Sequence, residues 1–304
     1  MKRCLFWLMV IIMVAGCKLN DKVAASEETI TNGSINISVD ESFKPVIDQQ
    51  IKVFESSFPN AHIYAEYKTE AGCLRDLEKD STRLIIISRD LNQKEEDYYK
   101  AKLEFKPDFG RLASDAIAIV INEKNPDSVF TINDLQQLLL GKSGTNKQVI
   151  VDGKGLTSTI RFLIDSILKG VALGKNVTAA KNSEELINYI ATSSNAIGFV
   201  GISWFSQWQQ QNSYKANAIR TGLVECKNCD KDVYAKPSQQ TIMFKQYPLV
   251  RGLYYIVKEN YAGVGSGFTN FLSLERGQLI FSRAGLVPYK MQFNRRRSQI
   301  KETE

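Results

Sequence analysis

From residue 34 onward the chain switches repeatedly between two hydrophobic periods. That alternation restricts the fold more than any other feature, because apolar residues two apart line one face of a strand while a spacing near 3.6 lines one face of a helix. In "SINISVD" (34–40), Ile35, Ile37 and Val39 alternate as a strand. Residues 42–58 place Ile47, Ile51, Phe54 and Phe58 on one helical face. Ser42 is the expected N-cap, and Pro45 falls in the first turn, where its missing N–H breaks no helical bond. "HIYAEYK" (62–68) returns to period two, a short helix is expected over 73–79, and "RLIIIS" (83–88) reads as a buried strand. A charged helical stretch near 93–104 leads into a further buried strand, "DAIAIVIN" (115–122).

A second series begins at "INDLQQLLLG" (132–141), with Asn133 as the expected cap and Gly141 as the stop. "KQVIVD" (147–152) is a strand, and 158–169 is a helix with Ile160, Leu163, Ile164, Ile167 and Leu168 inward and Gly170 as its stop. Ser183 caps "SEELINYIA", and "AIGFVGIS" (196–203) is a strand. Residues 207–240 are polar and irregular, "LYYIVKE" (253–259) is a late strand, and "GFTNFLSLERGQLIFSRAG" (267–285) is a helix pair. Strands alternating with helices imply an α/β fold with helices on both faces of a sheet. Two such series in 304 residues imply two lobes. The expected division is lobe 1 at 34–120 plus 245–290 and lobe 2 at 121–244, with a polar tail at 291–304.

The first residues carry a different signal. "MKR" supplies positive charge, "CLFWLMVIIMV" is an apolar run short for a membrane span, and "VAGC" sets small residues before Cys17. This order resembles the lipobox of bacterial lipoproteins. The resemblance implies a signal peptide over 1–16, lipidation at Cys17, and a tether over 17–33 that holds an exported protein on the cell envelope.

The formal net charge of +6 is modest, and its one cluster, Arg295-Arg296-Arg297, sits in the polar tail. A nucleic-acid partner is therefore not expected. "CKNC" places Cys226 and Cys229 at redox or metal spacing, but there is no second pair and the sole histidine, His62, is far off in sequence. A four-ligand metal site needs more than this, so no metal or cofactor is expected. Cys226 and Cys229 are either a local disulfide or two free thiols.

In open α/β sheets, ligands bind beyond the carboxyl ends of strands, where helices begin. Four strand-to-helix turns qualify: "VDESFKP" with Ser42 and Phe43, "KTEAGC" with Gly72, "SRDL" with Ser88, Arg89 and Asp90, and "GLTSTIRF" with Thr157, Ser158, Thr159 and Arg161. They offer hydroxyls, free amides and guanidinium forks, a donor set suited to a small oxyanion. Asp90 adds an acceptor that a protonated phosphate can satisfy and that fully ionised sulfate cannot. Each piece also has a plainer use. Ser42, Thr157 and Ser158 can serve only as caps, Arg89 can pair with Glu95 or Glu96, and Trp204 and Trp208 suit packing better than ligand stacking.

The ordered set "VDESFKPVIDQQIKVFE", "IIISRDL", "DAIAIVIN", "NAIGFVGISW", "QYPLVRGLYYIV" and "GFTNFLSLERGQLIFSRAGLVP" resembles the phosphate-binding lipoproteins of ABC-type uptake systems, in the divergent form of Bacteroidetes-type bacteria. The resemblance spans about residues 34 to 290. It implies a two-lobed periplasmic-binding-protein type II fold, no catalysis, and a monomer that takes inorganic phosphate between its lobes and passes it to an inner-membrane permease. It carries over Ser42, Phe43, Gly72, Ser88, Asp90 and Thr157 to Thr159 as ligand contacts. This chain departs from the family where "TST" replaces a glycine-containing "SGT" and where the usual preceding arginine is absent, leaving Arg161 or Arg89 as the substitute. Rival readings are an envelope sensor or adhesion protein on the same fold, a binder of sulfate or molybdate, and a hydrolase using Ser158 or Cys73, which lacks a visible base.

Overall fold

Three parallel strands open the first lobe: β1 (Gly33–Asp40), β2 (Ala61–Lys68) and β3 (Thr82–Ile87), with β1 in the middle. The computed structural model describes residues 28–153 and 155–290. The signal sequence and Cys17 therefore lie outside the described residues, as does the expected C-terminal tail. Helices α1 (Lys44–Ser57), α2 (Glu70–Leu77) and α3 (Gln93–Leu103) join and follow these strands. α1 buries Val46, Ile47 and Phe54, and the Phe54 ring meets Phe58, Phe268 and Phe271 edge-on at 5.1, 5.2 and 5.5 Å. Losing one such buried ring costs about 3–5 kcal/mol.

The pivotal element is β4 (Asp108–Asn122), 15 residues long. Its apolar run is buried on both faces, from Ala116 to Ile121, as expected of a strand covered above and below. Beyond it come β5 (Val129–Phe130), α4 (Ile132–Leu139), β6 (Gln148–Val151), α5 (Ser158–Phe162), β7 (Val177–Ala179), α6 (Ser183–Thr192), β8 (Ala196–Gly201) and α7 (Ile202–Gln211). The polar stretch then folds as three short strands, β9 (Ile219–Thr221), β10 (Leu223–Glu225) and β11 (Tyr234–Ala235), and a one-turn helix, α8 (Gln239–Met243). Cys226 and Cys229 close a disulfide beyond β10, with Cα atoms 5.6 Å apart. The chain returns as β12 (Val250–Val257), α9 (Val264–Ser273), α10 (Glu275–Arg283) and β13 (Val287–Pro288).

Among the described residues the main sheet runs β2-β1-β3-β12-β4-β8-β6-β7. β12 pairs antiparallel with β4 from Asp108 to Ala116, and β8 pairs with it from Ile117 to Ile121. One strand thus passes from the first lobe to the second between Ala116 and Ile117. Residues 28–33, the end of the expected tether, are already fixed to the body: Arg83 donates to Glu28 at 2.8 and 2.9 Å, and the Ile30 carbonyl lies against Gly267, where a side chain would collide.

Several expected caps move by one or two residues. Ser42 does not cap α1. The chain first makes a 3-10 turn over Glu41–Phe43, capped by Asp40, whose carboxylate accepts from Ser42 N at 2.9 Å. Thr131, not Asn133, caps α4 and forms a reciprocal capping box with Asp134. Asn182, not Ser183, caps α6. The short helix expected over 73–79 begins earlier, at Glu70, because Thr69 caps it. The expected 158–169 helix widens after Phe162 into a π-helical turn over Leu163–Ile167, with Gly170 at φ 90° ending it.

Candidate functional site

The end of β1, the start of α5 and the strand handover in β4 converge on one guanidinium. Arg251, on β12, lies directly opposite Asp115 of β4 in the ladder, and its Nε donates to Asp115 Oδ2 at 2.9 Å. Both side chains are nearly sealed from solvent. Arg251 Nη1 donates to Ser158 Oγ at 2.8 Å and Thr159 Oγ1 at 3.2 Å, so this first-lobe strand grips the second lobe's helix start. The Arg251 guanidinium also sits 4.9 Å over the Phe43 ring, a cation–π contact in a dry setting. Its remaining nitrogen, Nη2, is buried without a hydrogen-bond partner, and so are Asp40 Oδ2 and Asp115 Oδ1. An unmade bond at a buried charged group costs about 1–3 kcal/mol, so these orphans are a cost that the fold carries at this centre.

Around this centre, Ser42 Oγ and Ser158 Oγ meet across the lobes at 3.2 Å. Thr157 both caps α5, accepting from Ile160 N at 3.2 Å, and bonds Asp152, whose other oxygen accepts from Thr159 Oγ1 at 3.0 Å. Burial pushes the Asp152 carboxyl up to about 6, although Arg251 and Thr159 pull the other way. Burial likewise raises Asp40, with Arg251 opposing. Arg251 is itself desolvated, but the surrounding Asp115, Asp40 and Asp152 hold its charge more firmly than usual.

The third turn is arranged differently. Glu70, the first residue of α2, is buried and accepts from both the backbone N–H (3.1 Å) and the hydroxyl (2.5 Å) of Ser88. Arg161 reaches across from α5 and donates to Glu70 at 2.5 and 3.2 Å and to Ser88 Oγ at 2.7 Å. Arg89 turns outward and forks onto Glu95 at 2.7 and 2.8 Å, its plainer use. Asp90 is exposed. Gly72 is buried within α2, its N–H directed at the capping Thr69 hydroxyl at 3.3 Å. Trp204 spans the lobes by donating to the Glu41 carbonyl at 3.1 Å, and Trp208 donates to Asn188, so both are packing residues.

Among the described residues, no hydrogen bond joins Ser158 or Cys73 to a histidine. Ser158 Oγ has Arg251 and Ser42 as neighbours, His62 is exposed on β2, and burial pushes the Cys73 thiol up to about 12.

The family model described as "PBP superfamily domain" matches residues 24–275. The chain belongs to the PBP superfamily. Among curated relatives, it is 22% identical over 259 residues to the phosphate-binding protein PstS of Pseudomonas aeruginosa, covering 77% of this chain and 76% of that one. Among solved structures it is similar to a putative phosphate ABC transporter substrate-binding protein from Clostridium perfringens, with a TM-score of 0.68, 19% identity, and coverage of 85% of this chain and all of that one. An ABC-type phosphate transport receptor from Vibrio cholerae gives a TM-score of 0.62 at 18% identity, covering 84% of this chain and 100% of that one. These likenesses show the two-lobed PBP fold.

Within this PBP fold, sequence reasoning pointed to the turns at Ser42 and at Ser158 and Thr159 that meet around Arg251, and missed the strand-borne charges. A signal for them existed. In "VRGLYYIV", Arg251 shares the inward parity of Leu253, and in "SDAIAIVIN", Asp115 shares that of Ile117, Ile119 and Ile121. A charge on the buried face of a strand needs a partner, and the register supplies each to the other.

Proposed function

We infer that this chain is a solute-binding protein that captures inorganic phosphate at the lobe junction and presents it to an ABC-type permease. The observation that carries the reading is two of the three buried orphans at this centre: a guanidinium nitrogen lacking an acceptor, Arg251 Nη2, and a carboxylate oxygen lacking a donor, Asp40 Oδ2. Hydrogen phosphate carries both an anionic oxygen and a hydroxyl, so it can satisfy the two at once. Sulfate and molybdate dianions bring acceptors only, and would face Asp40 with an unpaired repulsion. Ser42, Ser158 and Thr159, drawn from both lobes, supply further hydroxyls to the same centre. Hydrogen bonds to charged groups net about 1.5–3 kcal/mol each, and several together are needed to offset the several kcal/mol of stripping water from an ion.

The phosphate-related names of its relatives support this ligand and an ABC-type partner. The "VAGC" segment supports export with lipidation at Cys17, and the reading takes the protein as a monomer on the periplasmic side of a membrane. Closure and release, with no bond made or broken, are its work. Calorimetric titration with phosphate, sulfate and molybdate tests the reading. Phosphate is expected to bind in preference to the other two, and at a hundredfold excess over Kd to stabilise the fold by about 2.7 kcal/mol. No heat and no thermal shift at millimolar phosphate would overturn it.

A further inference from the structure

Two of the donors that the sequence reserves for an external anion, Ser88 and Arg161, already hold one. The Glu70 carboxylate accepts from Ser88 N, Ser88 Oγ, Arg161 Nε and Arg161 Nη2, with Arg89 Nε a further 3.8 Å away. A backbone amide, a hydroxyl and a guanidinium fork make a carboxylate-binding site in their own right. It is assembled from both lobes, since Ser88 follows β3 in the first and Arg161 lies on α5 in the second. The Glu70 side chain is only 4% exposed, so this pair is far less screened than Arg161's partly solvated contact with Asp165 at 3.5 Å.

We propose that Glu70 is an internal competitor for the solute: its carboxylate latches the lobes together through Arg161, and an incoming oxyanion must displace it to reach Ser88 and Arg161. Glu70 then sets the threshold affinity of the site. From Ser88 and Arg161 a ligand gains only the difference between its own contacts and those of the resident carboxylate. This rests on the phosphate reading for the identity of the displacing ligand, but the latch itself does not.

The test uses the soluble chain from residue 18 onward, with Glu70→Gln and Arg161→Gln, read by small-angle X-ray scattering without ligand and by calorimetry with inorganic phosphate. Glu70→Gln is expected to have a larger ligand-free radius of gyration than wild type, to contract when phosphate is added, and to bind phosphate at least tenfold more tightly. Arg161→Gln breaks the same bridge from the other lobe and is expected to expand likewise, without the gain in affinity, since it removes a donor. Equal ligand-free radii in wild type and both variants overturn the latch whether or not phosphate binds. Glu70→Gln affinity equal to or weaker than that of a binding wild type overturns the competition. If no variant binds phosphate while both expand, the ligand reading fails and the latch stands. The Arg161→Gln arm keeps the latch testable should Glu70→Gln fail to fold.

Discussion

Replacing Arg251 separates what the cation does for the fold from what it does for a ligand. Its Nε is bonded to Asp115 at 2.9 Å, and the two side chains are 2% and 0% exposed. Arg251→Met alone leaves Asp115 charged or newly protonated in a dry site, with Asp40 and Asp152 nearby, and is expected to destabilise the protein by about 3–5 kcal/mol. Arg251→Met with Asp115→Asn removes both charges and is expected to recover more than half of that loss. Phosphate affinity behaves otherwise. On the phosphate reading, a bond from Arg251 Nη2 to the anion, worth about 1.5–3 kcal/mol, is lost in both variants, so each is expected to bind roughly 10- to 100-fold more weakly than wild type. Urea unfolding gives the first quantity and calorimetry the second. A double variant with wild-type affinity would show that the guanidinium holds only the fold, and would refute the ligand reading.

Asp40 and Asp90 make contrasting predictions. Asp40→Asn is expected to weaken phosphate binding and narrow its margin over sulfate, because the buried acceptor is lost, whereas exposed Asp90→Asn is expected to leave both within about twofold by calorimetry. Asp152 gives a pH signature. Burial raises its carboxyl from 3.8 to about 6, so the folded state holds a proton that the unfolded chain has released between those values. Stability from this group is therefore full below pH ~4 and lost as pH rises through ~6, a change of about 3 kcal/mol. Asp152→Asn should lack it, and parallel wild-type and variant stability curves from pH 4 to 7 would contradict the assignment.

The layered α/β plan was legible because strand and helix periods are local properties. Ile35, Ile37 and Val39 alternate whatever lies around them, and they do form β1. The caps were less legible because several polar residues stand close together at each helix start. At α4, Thr131 wins over Asn133 because Asp134 three residues on completes the reciprocal bond. Ahead of α1, Asp40 caps the 3-10 turn over Glu41–Phe43, and the Ser42 hydroxyl meets Ser158 instead. The site was half legible. Its hydroxyls lie at strand ends, where the fold class directs attention, but Arg251 sits inside a strand whose apolar neighbours disguise it. Its partner Asp115 is separated from it by the whole second lobe in sequence, so only the register brings them together.

The placement of that arginine has a mechanical consequence. Asp115 and Arg251 sit beside the point where β4 leaves one lobe and enters the other, between Ala116 and Ile117. In a hinged body, displacement grows with distance from the axis, so groups at the crossing travel least as the jaws open. If the jaws open about this crossing, the hydroxyls of Ser42 and Ser158, 3.2 Å apart on opposite jaws, separate. In such an opening, a guanidinium at the fulcrum would stay where it is and present the same charge to an open mouth as to a closed one. An arriving anion would then be sorted by charge before any jaw has moved, and by shape only as they shut.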